Sequence, residues 1–152
     1  MSEVKLLNMC MIYDEKTDKV LVQERIKKDW PGITFPGGHV EDGESLVQST
    51  IREVKEETGL DVSQLKLKGV IHWSNIKDQS RWMIFLYKTT VFSGEKLDET
   101  HEGKVCWVDY DKLETMDLAD GFRHYLKIFS SDTYSEAFGT WDDVLINEFI
   151  ML

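Results

Sequence analysis

Residues 44–59 read ESLVQSTIREVKEETG, the periodicity of one amphipathic helix closed by a glycine. Val47, Ile51, Val54 and Thr58 recur at i, i+4, i+7 and i+11, a stripe expected to face a core. At about 100° per residue, Glu53, Glu56 and Glu57 gather on a different face. The segment ahead of the helix, KKDWPGITFPGGHVEDGE, carries both prolines and four of the ten glycines. It is expected as a loop, interrupted at most by a short strand at 33–35. A helix that buries one stripe needs a second layer to bury it against, so the rest of the chain must supply a sheet or more helices.

It supplies mostly strands. VKLLNMCMIYD and VLVQERI, joined by the polar EKTDK, predict a β-hairpin. LKLKGVIHWS and RWMIFLYKTTVF, separated by NIKDQS, predict an antiparallel pair, and KVCWVDYD a further strand. DLADGFRHYLKIFSS predicts a short amphipathic helix with Phe122, Leu126 and Phe129 inward. AFGTWDDVLINEFIML predicts a terminal hairpin with Trp-Asp-Asp near its turn. Strands, a helix, more strands and another helix within 152 residues predict a single domain, 1–152, of the α+β class: an α/β/α sandwich with a mixed sheet.

Composition fits a globular chain, 41% apolar and 30% charged, with no apolar run approaching the roughly 18 residues of a membrane span. The opening MSEVKLLNMCMIYDE lacks the pattern of a secretory signal, so the expected compartment is the cytoplasm. Cys10 and Cys106 stand in apolar strand-like runs without a CxxC pair and are expected as buried free thiols. A net charge of −10 argues against a nucleic-acid polymer as partner, because a phosphate backbone is usually met by a basic face. A small polyphosphate screened by metal ions remains compatible with that charge. Monomer and homodimer are both compatible with the sequence.

The glutamate cluster is unfavourable as it stands. Glu53 has Glu56 at i+3 and Glu57 at i+4, and each like-charge pair costs some tenths of a kcal/mol. Arg52 and Lys55 are expected to project to other sides of the helix, leaving the acids short of cations. A divalent cation supplies the compensation. Mg²⁺ takes a few carboxylate oxygens, keeps several waters and accepts its remaining ligands from substrate phosphates, which suits an acidic face beside a glycine-rich loop.

Gly38, five residues, Glu44, seven residues, then Arg52-Glu53-Val54-Lys55-Glu56-Glu57-Thr58-Gly59-Leu60 matches the Nudix hydrolase signature G-x5-E-x7-R-E-U-x-E-E-x-G-U at every specified position. A chance match per window is on the order of 10⁻⁹, and the motif spans 23 of the 152 residues. The chain therefore resembles the Nudix hydrolases, whose α/β/α sandwich also has the element order predicted above. The resemblance implies hydrolysis of a diphosphate linked to another moiety, with Mg²⁺ or Mn²⁺ as cofactor. It implies Glu53, Glu56 and Glu57 as metal ligands, with the Gly37 carbonyl and a later glutamate, Glu102, as further ones; Glu99 and Asp98 compete for that last place. It implies that Arg52 orients Glu53 through a salt bridge, that Glu44 is structural, and that Glu53 is the candidate general base.

Outside the motif, the size of the chain and the segment CWVDYDKLETMDLADGF resemble the branch that hydrolyses oxidised purine nucleoside triphosphates such as 8-oxo-dGTP to monophosphate and pyrophosphate. Asp120 aligns with an acidic base-contacting position there, while Leu118 and Gly121 replace an aromatic and a second acid. Asn8, Arg25, Thr34, Phe35 and Gly38 are positioned to line a substrate pocket; Thr34 stands where some relatives carry asparagine. Residues typical of the ADP-ribose, dinucleoside-polyphosphate and NADH branches are absent. The alternatives are a Nudix enzyme for a nucleotide sugar, a dinucleotide polyphosphate or capped RNA, and a catalytically silent nucleotide-binding module. Trp73, Trp82 and Trp107 are expected in the core, as strand aromatics usually are. Trp30 is expected to brace the loop and His39 to be exposed or to approach phosphates.

Overall fold

Strand β1 (Val4–Asp14) is the axis of the molecule. In the computed structural model, which describes residues 2–142 and 146–152, β1 pairs in parallel with β7 (Arg81–Thr89) on one side. On its other side it meets β2 (Lys19–Arg25) antiparallel. The strand order is β12-β11-β6-β7-β1-β2-β10-β9, where β6 is Lys66–Asn75, β9 is Glu99–Thr100 and β10 is Gly103–Asp109. The terminal hairpin is β11 (Glu136–Trp141) and β12 (Ile146–Met151), and β11 runs parallel to β6. Parallel and antiparallel pairings coexist, so the sheet is mixed. The turn expected at Trp141, Asp142 and Asp143 falls partly on residues 143–145, outside the described residues.

Two short strands depart from the path: β3 (Gly32–Thr34) on β2, and β4 (Gly37–His39) on β1. The strand expected at 33–35 is β3, shifted by one residue. β4 has no sequence signal, because Gly37-Gly38-His39 lacks the apolar or β-branched side chains that mark a strand; it forms because β1 presents free backbone groups. A separate two-stranded ladder joins β5 (Asp61–Ser63) and β8 (Val91–Ser93).

One helix covers each face. Helix α1 (Leu46–Thr58) begins one turn's fraction later than Glu44, because Ser45 caps it: its hydroxyl accepts from the Gln48 N–H while the Gln48 side chain accepts from the Ser45 N–H. Such a capping box contributes about 1 kcal/mol. Gly59, at φ 82°, ends the helix in the left-handed conformation. α1 buries Val54 against Cys10, Ile12, Leu21, Leu60 and Val105. Of the expected stripe, Val54 and Thr58 are buried, Ile51 is half-buried and Val47 is exposed; Ser49 and Thr50 are buried as well, their hydroxyls, like that of Thr58, bonding helix carbonyls.

Helix α2 (Phe122–Ser130) packs on the opposite face against β6, β7 and β11, in one core with Met9, Met11, Val20 and Val22. Phe122, Leu126 and Phe129 do point inward. Phe35 meets the rings of Phe122 and Phe129 edge-on at 5.0 and 5.1 Å, tying the glycine-rich loop to α2. Cys10 is a buried free thiol as expected, whereas Cys106 is half-buried. Among the described residues no helix is long and apolar enough to cross a membrane.

Candidate active site

β1 and β2 pair only at Tyr13↔Val20 and Asp14↔Lys19. Beyond that, β1 takes β4 and β2 takes β3, so the two strands diverge and the sheet splits. A cleft of about 660 Å³ opens in the split, with Asn8 and Met9 on one wall and Gln23 and Arg25 on the other. Glu53 and Glu57 line it from α1, and Glu102 lines it from the turn between β9 and β10. Trp73, Trp82 and Tyr125 line it from the α2 side, with Trp30, Thr34 and Phe35 from the loop. Carboxylates and aromatics thus share one cavity.

The glutamates differ in environment. Glu56 is largely exposed, its side chain 58% accessible, while the Glu53 side chain is 15% accessible and Glu57 is buried. The Gly37 N–H donates to Glu57 Oε2 at 3.0 Å. Burial nevertheless lifts the Glu57 carboxyl to about 8; the Gly37 N–H opposes the rise, and the Glu53 and Glu102 carboxylates add to it. Burial also raises the Glu53 carboxyl, against the pull of Arg52. These are acids held in a place where a proton or a cation stabilises them.

The salt bridge from Arg52 to Glu53 that the resemblance implies is present, and Arg52 reaches further. Nε and Nη2 fork onto the two oxygens of Glu44 at 2.7 and 2.9 Å, Nη2 also donates to the His39 carbonyl at 3.0 Å, and Nη1 lies 3.0 Å from Glu53 and 3.2 Å from Glu56. The expectation that Arg52 points away from the acids is corrected: its length lets one guanidinium curl along the helix and bridge residues i+1 and i+4. Glu44 draws the guanidinium pKa upward most, and in turn its own carboxyl is held below the usual range by Arg52. Lys55 instead meets Asp61 and the Gly59 carbonyl.

Close approach of backbone to carboxylate explains the second glycine. A Cβ on Gly38 would overlap the carboxyl group of Glu53, so glycine here leaves that carboxylate where it stands. Asn8 holds the same junction: its amide donates to Ser49 Oγ at 3.0 Å, and its carbonyl accepts from the Gly38 N–H at 3.2 Å. Both ends of that amide are spent on the scaffold.

The remaining candidates divide. Arg25 lines the cleft, where its Nε bonds the Trp30 carbonyl at 2.9 Å and its Nη1 lies 3.6 Å from Glu102. Glu102 is also paired with Lys27 at 2.6 Å. Asp98 is exposed and paired with Lys96, and neither it nor Glu99 lines the cleft. Asp120 is not among the lining residues either; its backbone carbonyl accepts the Trp30 indole N–H at 2.7 Å, fixing Trp30 over the cavity. Trp73 and Trp82, a cross-strand pair expected in the core, line the cleft, and Trp73 also packs against the core. Trp107 does pack in the core, against Phe92. Gln23, Tyr125 and Lys27 were not singled out by sequence; the signal for Gln23 was a polar residue at an inward position of a strand.

A family model for the NUDIX domain matches residues 8–129. The chain belongs to the Nudix family. It is 34% identical over 130 residues to the uncharacterized Nudix hydrolase YvcI of Bacillus subtilis, covering 83% of this chain and 79% of that protein. Shorter matches reach an ADP-ribose pyrophosphatase of Methanocaldococcus jannaschii, 33% over 82 residues (53% of this chain, 48% of that protein), and an oxidized purine nucleoside triphosphate hydrolase of Danio rerio, 32% over 84 residues (55% and 51%). Among solved structures, a Mutator MutT protein from Bacillus halodurans superposes with a TM-score of 0.78 at 29% identity, covering 97% of each chain. The α/β/α sandwich with a mixed sheet is thus the Nudix fold, and the chain is a Nudix hydrolase acting on nucleotide derivatives.

Nudix hydrolases generally use divalent metal ions, and the donor set here is all oxygen, as a hard cation requires. Among the described residues no three His, Cys, Asp or Glu side chains already stand at metal-holding spacing. Arg52 engages oxygens of Glu53 and Glu56, and Gly37 engages one of Glu57. The buried Glu57 and half-buried Glu53 carboxyls, both with raised pKa, still fit a cation.

Proposed function

We propose that the chain hydrolyses a nucleoside triphosphate, an oxidised purine such as 8-oxo-dGTP, to the monophosphate and pyrophosphate, and so clears damaged nucleotides from a cytoplasmic pool. The observation that carries this is the single cleft in which the α1 carboxylates and the α2-side aromatics meet: one part suits a metal-bound polyphosphate, the other a flat base. Relatives named as a MutT protein and an oxidized purine hydrolase support it.

Glu53, Glu56, Glu57, Glu102 and the Gly37 carbonyl are the proposed holders of Mg²⁺ or Mn²⁺. Such an ion neutralises phosphate charge and lowers the pKa of a bound water. Arg52 fixes the Glu53 carboxylate, and Glu53 is the proposed acceptor of the proton from the attacking water. Arg25 and Gly38 meet phosphate oxygens; Thr34 and Phe35 border the base, which Trp73 and Trp82 are placed to stack on. Asn8 acts through Gly38, and Asp120 through Trp30 and the rim of the cleft.

A second reading is another nucleoside diphosphate derivative, favoured by the match to an ADP-ribose pyrophosphatase. Product analysis on a panel of purine triphosphates, ADP-ribose, nucleotide sugars and dinucleoside polyphosphates separates the two. Release of pyrophosphate with purine triphosphates turned over fastest supports the first; faster turnover of ADP-ribose or a nucleotide sugar overturns it.

A further inference from the structure

Alone among the buried side-chain polar atoms of the described residues, Gln23 Nε2 has no hydrogen-bond partner. Gln23 is 1% exposed, and its side chain lines the cleft. It sits on β2 opposite Thr34 of β3 and Val105 of β10, two residues from Arg25 and therefore on the same face of the strand. A buried amide nitrogen left unpaired is costly, and its N–H groups are free to meet a group that enters the cleft. The neighbouring amide, Asn8, differs in that its nitrogen and its oxygen are each bonded to the scaffold.

We propose that Gln23 reads the hydrogen-bonding edge of the substrate's nucleobase, an assignment that rests on the nucleotide-hydrolase reading above. An amide offers a donor and an acceptor side by side. Guanine presents two adjacent acceptors, N7 and O6, whereas adenine presents a donor beside an acceptor. Oxidation of guanine at C8 places a proton on N7, so its edge becomes mixed as well. The Gln23 amide makes two hydrogen bonds with a mixed edge and one with unmodified guanine. The metal-facing groups contact the phosphates that all nucleotides share, so discrimination between bases falls to residues such as this one.

The experiment compares kcat/KM for 8-oxo-dGTP and dGTP in the wild type and in Gln23→Met, which keeps the length and removes the amide. The expected result is a fall of about tenfold in the 8-oxo-dGTP to dGTP ratio, the scale of one to two hydrogen bonds, with a melting temperature at or above wild type. A ratio within twofold of wild type overturns the assignment and leaves Gln23 as an amide satisfied by water. Should Gln23→Met fail to fold, Gln23→Leu makes the same test. Should the wild type hydrolyse neither triphosphate, the activity reading fails by itself, and the Kd ratio of 8-oxo-dGMP to dGMP in the same variants decides the Gln23 assignment by the same thresholds.

Discussion

Arg52 Nη1 lies 3.0 Å from Glu53 Oε1 while the other arms of the same guanidinium hold both oxygens of Glu44. The fork fixes where the Glu53 carboxylate can be. Lysine keeps the charge but cannot serve three carboxylates and a carbonyl from one head group. Arg52→Lys is expected to lower kcat about 10- to 100-fold, the usual scale for a group that orients another, and to cost about 1–2 kcal/mol of stability for a partly exposed ion-pair network. Steady-state kinetics beside thermal melting checks this. A fall in kcat that merely tracked lost folded protein would assign Arg52 to stability alone.

Gly38 against Glu53 makes a second test of the same geometry. In Gly38→Ala the new methyl overlaps the Glu53 carboxyl group, and the flexible side chain yields before the backbone does. The expected outcome is a loss of about 10²-fold in kcat from a displacement of an ångström or less, with a stability cost of about 1–3 kcal/mol. Denaturant titration and turnover on one preparation separate the two effects.

Glu57 ties stability to pH. Its carboxyl titrates near 8 in the folded chain, from an ordinary value of 4.5. Between those values the folded state binds a proton that the unfolded state has released, so this group lowers stability as pH rises through that window. In EDTA, the unfolding free energy of the wild type is expected to decline from about pH 5 to about pH 8 relative to Glu57→Gln, which carries no titrating carboxyl there. Chemical denaturation across that range measures it. Parallel profiles for the two proteins would show that Glu57 is ionised at low pH and contradict its buried environment.

The carboxylate face of α1 was legible because Glu53, Glu56 and Glu57 stand at i, i+3 and i+4 and need no tertiary information to be brought together. How unequal they are was not. Glu56 is exposed and Glu57 buried because Gly37 of a strand distant in sequence lies over one and not the other. β4 escaped for the same reason, since two glycines and a histidine form a strand only against β1. Trp73 and Trp82 were correctly placed on strands; Trp73 packs against the core as expected, but both also line the cleft that opens where β1 and β2 diverge. Trp107 packs instead with Phe92 in the cluster under α1.

The most direct test is to incubate the wild-type protein and Glu53→Gln with 8-oxo-dGTP, with Mg²⁺ and with EDTA, and to resolve the products by anion exchange. The wild type with Mg²⁺ is expected to give the monophosphate and pyrophosphate, EDTA to abolish the reaction, and Glu53→Gln to slow it by about 10²–10⁴-fold, the usual contribution of a positioned base. Release of the diphosphate and orthophosphate, or equal rates with Glu53 and Gln at this position, would contradict the role given to the cleft.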